Sequence, residues 1–244
     1  MFPVISPEAT ARADPKTILV LGAHGVTGQE VVKQAVARGH HVRAAEMKWP
    51  DDAPPAGHNV ERATANVIED DLGPVVDGVD AVISALGVPG DPATLLDPPP
   101  LYTTGTTKLI DAMNARGVTR LVTISASFVV THDRGPLLFR TTAIPALTRV
   151  LHQMGEMEEM LRASSLDWTA VRPGWLLPEP LTGDYVVVSD VIPEDLIRTR
   201  HADLAHFMLH CVESGEWIRQ TPAIARQEAE DLSSSFEVVR EMLA

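Results

Sequence analysis

Residues 16–28, with the sequence KTILVLGAHGVTG, decide the fold of this 244-residue chain. The run before Gly22 is apolar and rich in β-branched residues, which is typical of a strand buried on both faces of a parallel sheet. Residues 26–38 follow with helical spacing of their apolar side chains, and residues 41–46 predict a second strand. The opening of the chain therefore predicts a β-α-β unit.

Three glycines with G-x-x-G-x-x-G spacing lie between the first strand and the first helix. Small residues let the backbone turn sharply and approach a diphosphate, and the free amides at the helix start face the anion. The same triplet can form a tight turn that binds nothing, but its place in a β-α-β unit favours a dinucleotide site. The contacts predicted in this loop are Gly22, His24, Gly25, Val26, Thr27 and Gly28.

The cofactor is predicted to be NAD or NADP, and the sequence does not decide between them. Glu46 ends the second strand about 20 residues beyond the glycines, where a carboxylate can accept hydrogen bonds from the ribose hydroxyls of NAD. It can equally be a solvated strand end, and Lys48 can neutralise the 2′-phosphate of NADP. Asn66 and Val67 are placed to hold the adenine edge. The remaining predicted cofactor contacts are Met47, Ala85, Leu86, Gly87, Ser125 and Pro173.

The alternation of strands and helices continues along the chain. It predicts an α/β fold, a Rossmann-like, doubly wound parallel sheet with right-handed crossovers. Residues 173–244 change pattern and predict a small C-terminal cap, while residues 1–15 predict a flexible extension to a single domain over residues 16–244. Further strands are predicted at residues 60–65, 80–86, 120–125 and 167–172, with helices near residues 104–115, 146–163, 201–213 and 229–243.

Composition narrows the classes of partner. Acidic residues number 33 against 20 basic ones, and the net charge of −13 repels a phosphate backbone, so no nucleic acid is expected. The single cysteine, Cys211, cannot close an intramolecular disulfide or form a cysteine-based metal site, which favours a cytoplasmic protein without a metal. We expect no membrane association, a small-molecule substrate, and a monomer or homodimer.

Several motifs resemble those of the atypical short-chain dehydrogenases related to NmrA. They are the glycine loop and residues 78–87, 121–125 and 165–174. Residues 180–187 and 206–209 are similar to the C-terminal segments of the branch that contains biliverdin-IXβ reductase, which also reduces flavins. The resemblance implies a single domain that binds NAD(P)H and passes hydride to a planar or carbonyl-bearing small molecule over the nicotinamide.

The chain departs from that family in its acid–base residues. Ordinary short-chain dehydrogenases use a Tyr-x-x-x-Lys pair, in which lysine lowers the pKa of the tyrosine. Here Tyr102 is followed by lysine only at Lys108, and Tyr185 by none. Trp175 stands where the biliverdin reductase branch has a histidine, and the branch's serine falls on or beside Ala126. Flavin reduction is favoured over biliverdin reduction, because it needs stacking and proximity more than a dedicated acid.

The catalytic candidates are Ser125, Trp175, Tyr102 and His132. Ser125 ends a central strand where it can bond the carboxamide or the substrate, or only the backbone, and Trp175 can form part of a stacking wall. The carboxylates at 156, 158 and 159 predict a solvated helix face, and His206 and His210 a solvated or capping pair. The methionines at 154, 157 and 160 predict packing in the core or at the cleft rim.

The first hypothesis for function is an NAD(P)H-dependent oxidoreductase that acts on a flavin, a quinone or another conjugated small molecule. The second is an NmrA-like sensor that binds the nucleotide without turnover, which the missing Tyr-x-x-x-Lys pair favours. The third is an isomerase or dehydratase that uses the cofactor only transiently.

Overall fold

The structure, a computed structural model, describes residues 14–51, 53, 56–131 and 137–229, without the side chains of residues 137–143. Most of the predicted N-terminal extension and nearly all of the predicted final helix lie outside these residues. The catalytic candidate His132 also lies outside them.

Strands and helices alternate through most of the described chain. In chain order the strands are β1 Thr17–Leu21, β2 His41–Glu46, β3 Val60–Thr64, β4 Ala81–Ser84, β5 Arg120–Ile124, β6 Asp167–Pro173, β7 Trp175–Leu177, β8 Val186–Ser189, β9 Arg198–Arg200 and β10 Pro222–Ala225. The helices are α1 Val26–Ala37, α2 Gly73–Val76, α3 Pro92–Leu96, α4 Thr104–Arg116, α5 Leu137–Ala163 and α6 His201–Ser214, with one 3-10 turn at Ser127–Val129.

The strands form an eight-stranded sheet in the order β3-β2-β1-β4-β5-β6-β10-β8. All neighbours are parallel except β10 and β8, which pair antiparallel. The chain runs outward from β1 to β3 and then returns to the other side of β1 at β4. This reversal leaves a crevice at the carboxyl ends of β1 and β4, where open α/β sheets bind their ligands. The predicted doubly wound, Rossmann-like fold is confirmed.

Both faces of the sheet are covered by helices, which explains why the strands are apolar without alternation. Along β1, Ile18 and Val20 belong to one apolar cluster with α1 and α6, and Leu19 and Leu21 belong to another with α4 and α5. Met154 and Met157 are buried in the second cluster, and the half-buried Met160 packs against it, as their spacing predicts.

The segment after residue 173 is only partly a cap. Strands β8 and β10 lengthen the main sheet and α6 covers one of its faces, while β7 and β9 pair with each other beside the end of β6. The sequence does not predict β10, because four residues that begin with proline carry no strand pattern of their own. The helix predicted near residues 146–163 is longer in the structure, where α5 starts at Leu137 and contains Pro145.

Candidate functional site

The glycine loop has a backbone that only glycine can form. Gly22 has φ +75°, and a Cβ atom there would lie 2.8 Å from the carbonyl oxygen of Ala85. A Cβ atom on Gly28 would lie 1.9 Å from the carbonyl oxygen of Gly22, so α1 can pack this closely on the loop only through glycine. Gly25 is the N-cap residue of α1, and no side chain caps the helix. The first amides of α1 are therefore available to an anion.

A cleft of about 590 Å³ opens beside this loop at the carboxyl ends of β1, β2, β3 and β4. Ten of the predicted cofactor residues line it: Gly22, His24, Gly25, Glu46, Met47, Asn66, Val67, Ala85, Leu86 and Gly87. Nine other lining residues are not predicted as cofactor contacts from the sequence: Leu21, Ala45, Ala65, Ile68, Glu69, Val88, Pro89, Pro99 and Leu101. Four of these nine lie in the proline-containing segment that follows β4, and the length of this segment was the available signal.

The cleft fits a dinucleotide on three observations. Its volume is in the usual range for small-molecule sites, its loop accepts no side chain at two positions, and the helix that points at it has an uncapped start. The residues that would hold NAD or NADP are therefore the glycine loop, the end of β2 and the residues after β3 and β4.

The end of β2 brings charged and aromatic side chains together. Glu46 Oε1 accepts a hydrogen bond from the His24 amide at 2.5 Å, so the carboxylate also fixes the glycine loop. Trp49 donates its indole N–H to the Ala63 carbonyl at 2.8 Å, and the Arg62 guanidinium lies 4.5 Å from the centre of its ring. The sequence does not indicate a role for Trp49 or Arg62, because their contact depends on the pairing of β2 with β3. Lys48 is exposed beside this group but does not line the cleft.

Ser125 is buried and takes part in a network of charges. Its hydroxyl donates to Glu158 Oε1 at 2.8 Å. Arg172 donates to both oxygens of Glu158, through Nε at 2.9 Å and Nη2 at 2.6 Å, and Arg162 donates to Oε2 at 2.9 Å. Only 1% of Ser125 and 1% of Glu158 are exposed. The expectation that Glu158 lies on a solvated helix face is therefore wrong, and Ser125 bonds a carboxylate and not only the backbone.

Three other predicted residues lie away from the cleft surface. Tyr102 is buried under the cleft, and burial raises its pKa. Trp175 is half-buried in β7, and Pro173 is buried at the end of β6 next to Ile224 of β10. Neither of the last two is part of the cleft lining. Their assignment to cofactor or substrate stays a prediction.

Thr27 of α1 contacts a histidine of α6, a helix that packs against α1 on the same face of the sheet. Its hydroxyl lies 2.6 Å from His201 Nδ1, at the start of α6, and burial lowers the pKa of His201 to about 4. Burial likewise lowers the pKa of His206 to about 4, and its Nδ1 lies 2.6 Å from the hydroxyl of Tyr185. The expected solvated or capping role for His206 is therefore wrong.

Two classes of site are absent from the described part of the chain. Over those residues, no group of three histidine, cysteine or carboxylate side chains is arranged to hold a metal ion. None of the described helices is long and apolar enough to cross a membrane.

Comparisons with known proteins agree with this geometry. A family profile described as NAD(P)H-binding matches residues 22–215. The chain is 31% identical over 202 residues to an uncharacterised chloroplast protein of Arabidopsis thaliana, covering 78% of this chain and 68% of that one.

Solved structures agree as well. One from Streptococcus pneumoniae, named as a candidate NADH-flavin reductase, superposes with a TM-score of 0.68 at 21% identity and covers 87% of this chain and 100% of that one. A candidate NAD-dependent epimerase/dehydratase from Bacillus halodurans gives 0.71 at 24% identity, covering 88% and 95%. At these identities the likeness establishes the fold.

Proposed function

Because the chain belongs to this NAD(P)H-binding family, we propose that it is an oxidoreductase that reduces a flavin, a quinone or another conjugated small molecule at the cleft. The family match confirms the predicted cofactor, NAD or NADP. When the cofactor is bound, its reduced nicotinamide supplies the hydride, and the protein binds and orients the cofactor and the acceptor.

The observation that carries the proposal is the burial of both tyrosines in the chain. Tyr102 is 5% exposed and Tyr185 is 1% exposed and bonds His206, and burial raises the pKa of each phenol. A short-chain dehydrogenase that reduces a carbonyl needs a tyrosine with a lowered pKa at the reacting atoms. Neither tyrosine meets that condition. Acceptors that take hydride without a proton from tyrosine are therefore favoured.

The serine of the central strand supports the same conclusion. The proton of Ser125 is directed to Glu158, so its hydroxyl oxygen has only lone pairs left to offer. In this arrangement Ser125 can accept a hydrogen bond from an amide but cannot act as the acid. It is a positioning group in this proposal.

The lining of the cleft suits a planar, weakly polar acceptor. Leu86, Val88, Pro89 and Leu101 form an apolar side of the cleft next to the end of β4. Such a surface excludes water and packs against a flat ring through its area. The pneumococcal structure named as an NADH-flavin reductase shares this fold, which is in keeping with a flavin or quinone as the acceptor.

The test is the oxidation of NADH and NADPH, followed by nicotinamide absorbance, with FMN and menadione in one arm and aldehydes and ketones in the other. We expect turnover in the first arm only. Tyr102→Phe should keep its turnover, with Tyr185→Phe as the matched control. A loss of about 100-fold in Tyr102→Phe, the usual contribution of a general acid, would show that the phenol reacts and would overturn the assignment.

A nucleotide sensor without turnover is the second candidate, and the same buried tyrosines favour it. It predicts tight binding of NADH or NADPH with no oxidation by any acceptor in either arm. An epimerase or dehydratase, the activity in the name of the Bacillus halodurans structure, is disfavoured because no tyrosine is available as its acid. It would show product formation with no net change in nicotinamide absorbance.

A further inference from the structure

A second pocket, of about 260 Å³, lies near the amino ends of β6 and β10, away from the glycine loop at the carboxyl ends of the strands. It is formed where the end of α5 meets the beginning of β6, the end of β8 and the residues that lead into β10. None of its lining residues lines the nucleotide cleft. We propose that this pocket binds a small oxyanion, a carboxylate or a phosphate.

The first observation is a buried donor without an acceptor. Trp168 lines the pocket and is 2% exposed, and its indole N–H has no hydrogen-bond partner within the described residues. An indole nitrogen can only donate, and a buried donor without an acceptor destabilises the folded state. An acceptor oxygen supplied by a ligand would remove this effect.

The second observation is the positive charge of the pocket. Arg219 is an exposed lining residue whose guanidinium makes no hydrogen bond or ion pair with any part of the chain that the structure describes. Arg162 lines the same pocket, with 48% of its side chain exposed and one Nη bonded to Glu158. Charged groups of this kind bind oxyanions through short, strong hydrogen bonds.

The acidic residue of the pocket does not cancel this charge. Asp190 accepts a hydrogen bond from the hydroxyl of Thr221, and its carboxylate lies 3.8 Å from Nη1 of Arg172. Arg172 also pairs with Glu158, which Arg162 contacts as well. With Arg219, three arginines are therefore grouped with two carboxylates, and one positive charge stays unbalanced, at the exposed Arg219. The pocket lacks an oxygen for the indole and a negative charge for Arg219, and a carboxylate or a phosphate supplies both.

The experiment follows the indole N–H resonances of the full chain by NMR while inorganic phosphate or succinate is added. The chain has four tryptophans, and the Trp168→Phe variant identifies the Trp168 signal by its loss. NADP is present at saturation, so that phosphate does not report on the glycine loop. We expect a saturable shift of the Trp168 signal with phosphate, succinate or both, and none with chloride at matched ionic strength. The anion that saturates identifies the class.

Charge variants test whether the shift comes from this pocket. Arg219→Asn keeps a residue that tolerates the left-handed backbone found there, φ 57°, and should weaken anion binding about tenfold. Lys33→Gln removes one exposed charge from α1 and should leave the affinity unchanged. A Trp168 signal unmoved by both anions, or wild-type affinity in Arg219→Asn, overturns the proposal. No outcome depends on turnover, so the redox proposal stands or fails separately.

Discussion

Two regions of the molecule, the glycine loop and the charged network behind β5, are shaped by different parts of the chain. At the glycine loop the shape is set by backbone, with Gly22 and Gly28 leaving no room for a Cβ atom. Behind β5 the shape is set by side chains, with Glu158 holding Ser125 and Arg172 in a buried network of charges. The shape of the glycine loop is therefore determined by one short stretch of sequence. The charged network depends on residues that the fold brings together from distant positions.

This difference also separates the two functions that the regions can serve. Backbone amides bind phosphate whatever the neighbouring side chains are, which suits a cofactor shared by many enzymes. The charged network fixes particular side chains at the carboxyl ends of β5 and β6. Substitutions in the glycine loop should accordingly reduce nucleotide binding most, and substitutions in the charged network should reduce stability most.

Gly28→Ala should have the largest effect on nucleotide binding. Its Cβ atom would lie 1.9 Å from the Gly22 carbonyl oxygen, so the loop must move away from α1. We expect the rise in Tm that NADH or NADPH gives the wild type to disappear, together with about 1–3 kcal/mol of stability. Gly155→Ala is the control, since its Cβ would lie 3.6 Å from Val129 and should stabilise α5 by about 0.5–1 kcal/mol. An unchanged nucleotide shift in Gly28→Ala would refute the backbone account.

Glu158→Gln should have the largest effect on stability. It leaves Arg172, which is 3% exposed, without its counter-charge. Breaking a buried ion pair costs about 3–5 kcal/mol, measurable as a lower free energy of unfolding in urea. The neighbouring Glu159→Gln changes an exposed carboxylate of the same helix and should stay within about 0.5 kcal/mol of wild type. If the two substitutions lower the free energy of unfolding equally, the buried ion pair does not stabilise the fold.

The sequence predicted the glycine loop well because its signals are local. The strand, glycine spacing and helix of residues 16–38 lie in one stretch, and they appear in the structure within a residue of their predicted bounds. The strands β2, β5 and β6 were readable for the same reason. Ten of the predicted contacts line one cleft, because the carboxyl ends of parallel strands meet at one edge.

The charged network could not be predicted because its signals are long-range. Glu158 pairs with Arg172 across 14 positions and with Ser125 across 33. Helical spacing places it on the apolar face with Met154 and Leu161, but the sequence does not show which partners it meets there. Strand β10 is likewise defined by its pairing with β6 and β8 and not by its four residues. Only the fold reveals that an arginine and a serine from two neighbouring strands meet this carboxylate.

His201 contacts the glycine-loop end of the site through Thr27, and its substitution should have a smaller, pH-dependent effect. Burial lowers the pKa of His201 to about 4, so the folded chain holds it neutral beside Thr27. Its contribution to stability is complete above about pH 6.5, the unfolded value, and is lost as pH falls toward 4. His201→Gln should therefore show a shallower loss of unfolding free energy over this range, by at most about 1.4 kcal/mol per pH unit. His152→Gln changes an exposed histidine and should keep the wild-type dependence of unfolding free energy on pH. If His201→Gln also keeps the wild-type dependence, the burial of His201 does not contribute to it.

Glu46→Gln should change the choice of nucleotide by about tenfold, equivalent to one charge-assisted contact. The amide keeps an oxygen for the His24 N–H but removes the negative charge from the ribose end of the cleft. The affinity for NADPH should rise relative to that for NADH, since a 2′-phosphate is no longer repelled. Calorimetric titration with both nucleotides measures the ratio. A ratio that does not change returns Glu46 to a structural role in the loop.

Lys48→Ala should have the smallest effect, in the opposite direction. Lys48 is exposed, and an exposed charge pair is worth about 1 kcal/mol or less, so the affinity for NADPH should fall about fivefold or less relative to that for NADH. Lys33→Ala, with 73% of its side chain exposed on α1, is the matched control and should not change the ratio. The effect at Lys48 should shrink as salt rises, because exposed charges are screened. If Lys48→Ala behaves like Lys33→Ala at low salt, Lys48 does not meet the 2′-phosphate, and Glu46 alone sets the preference.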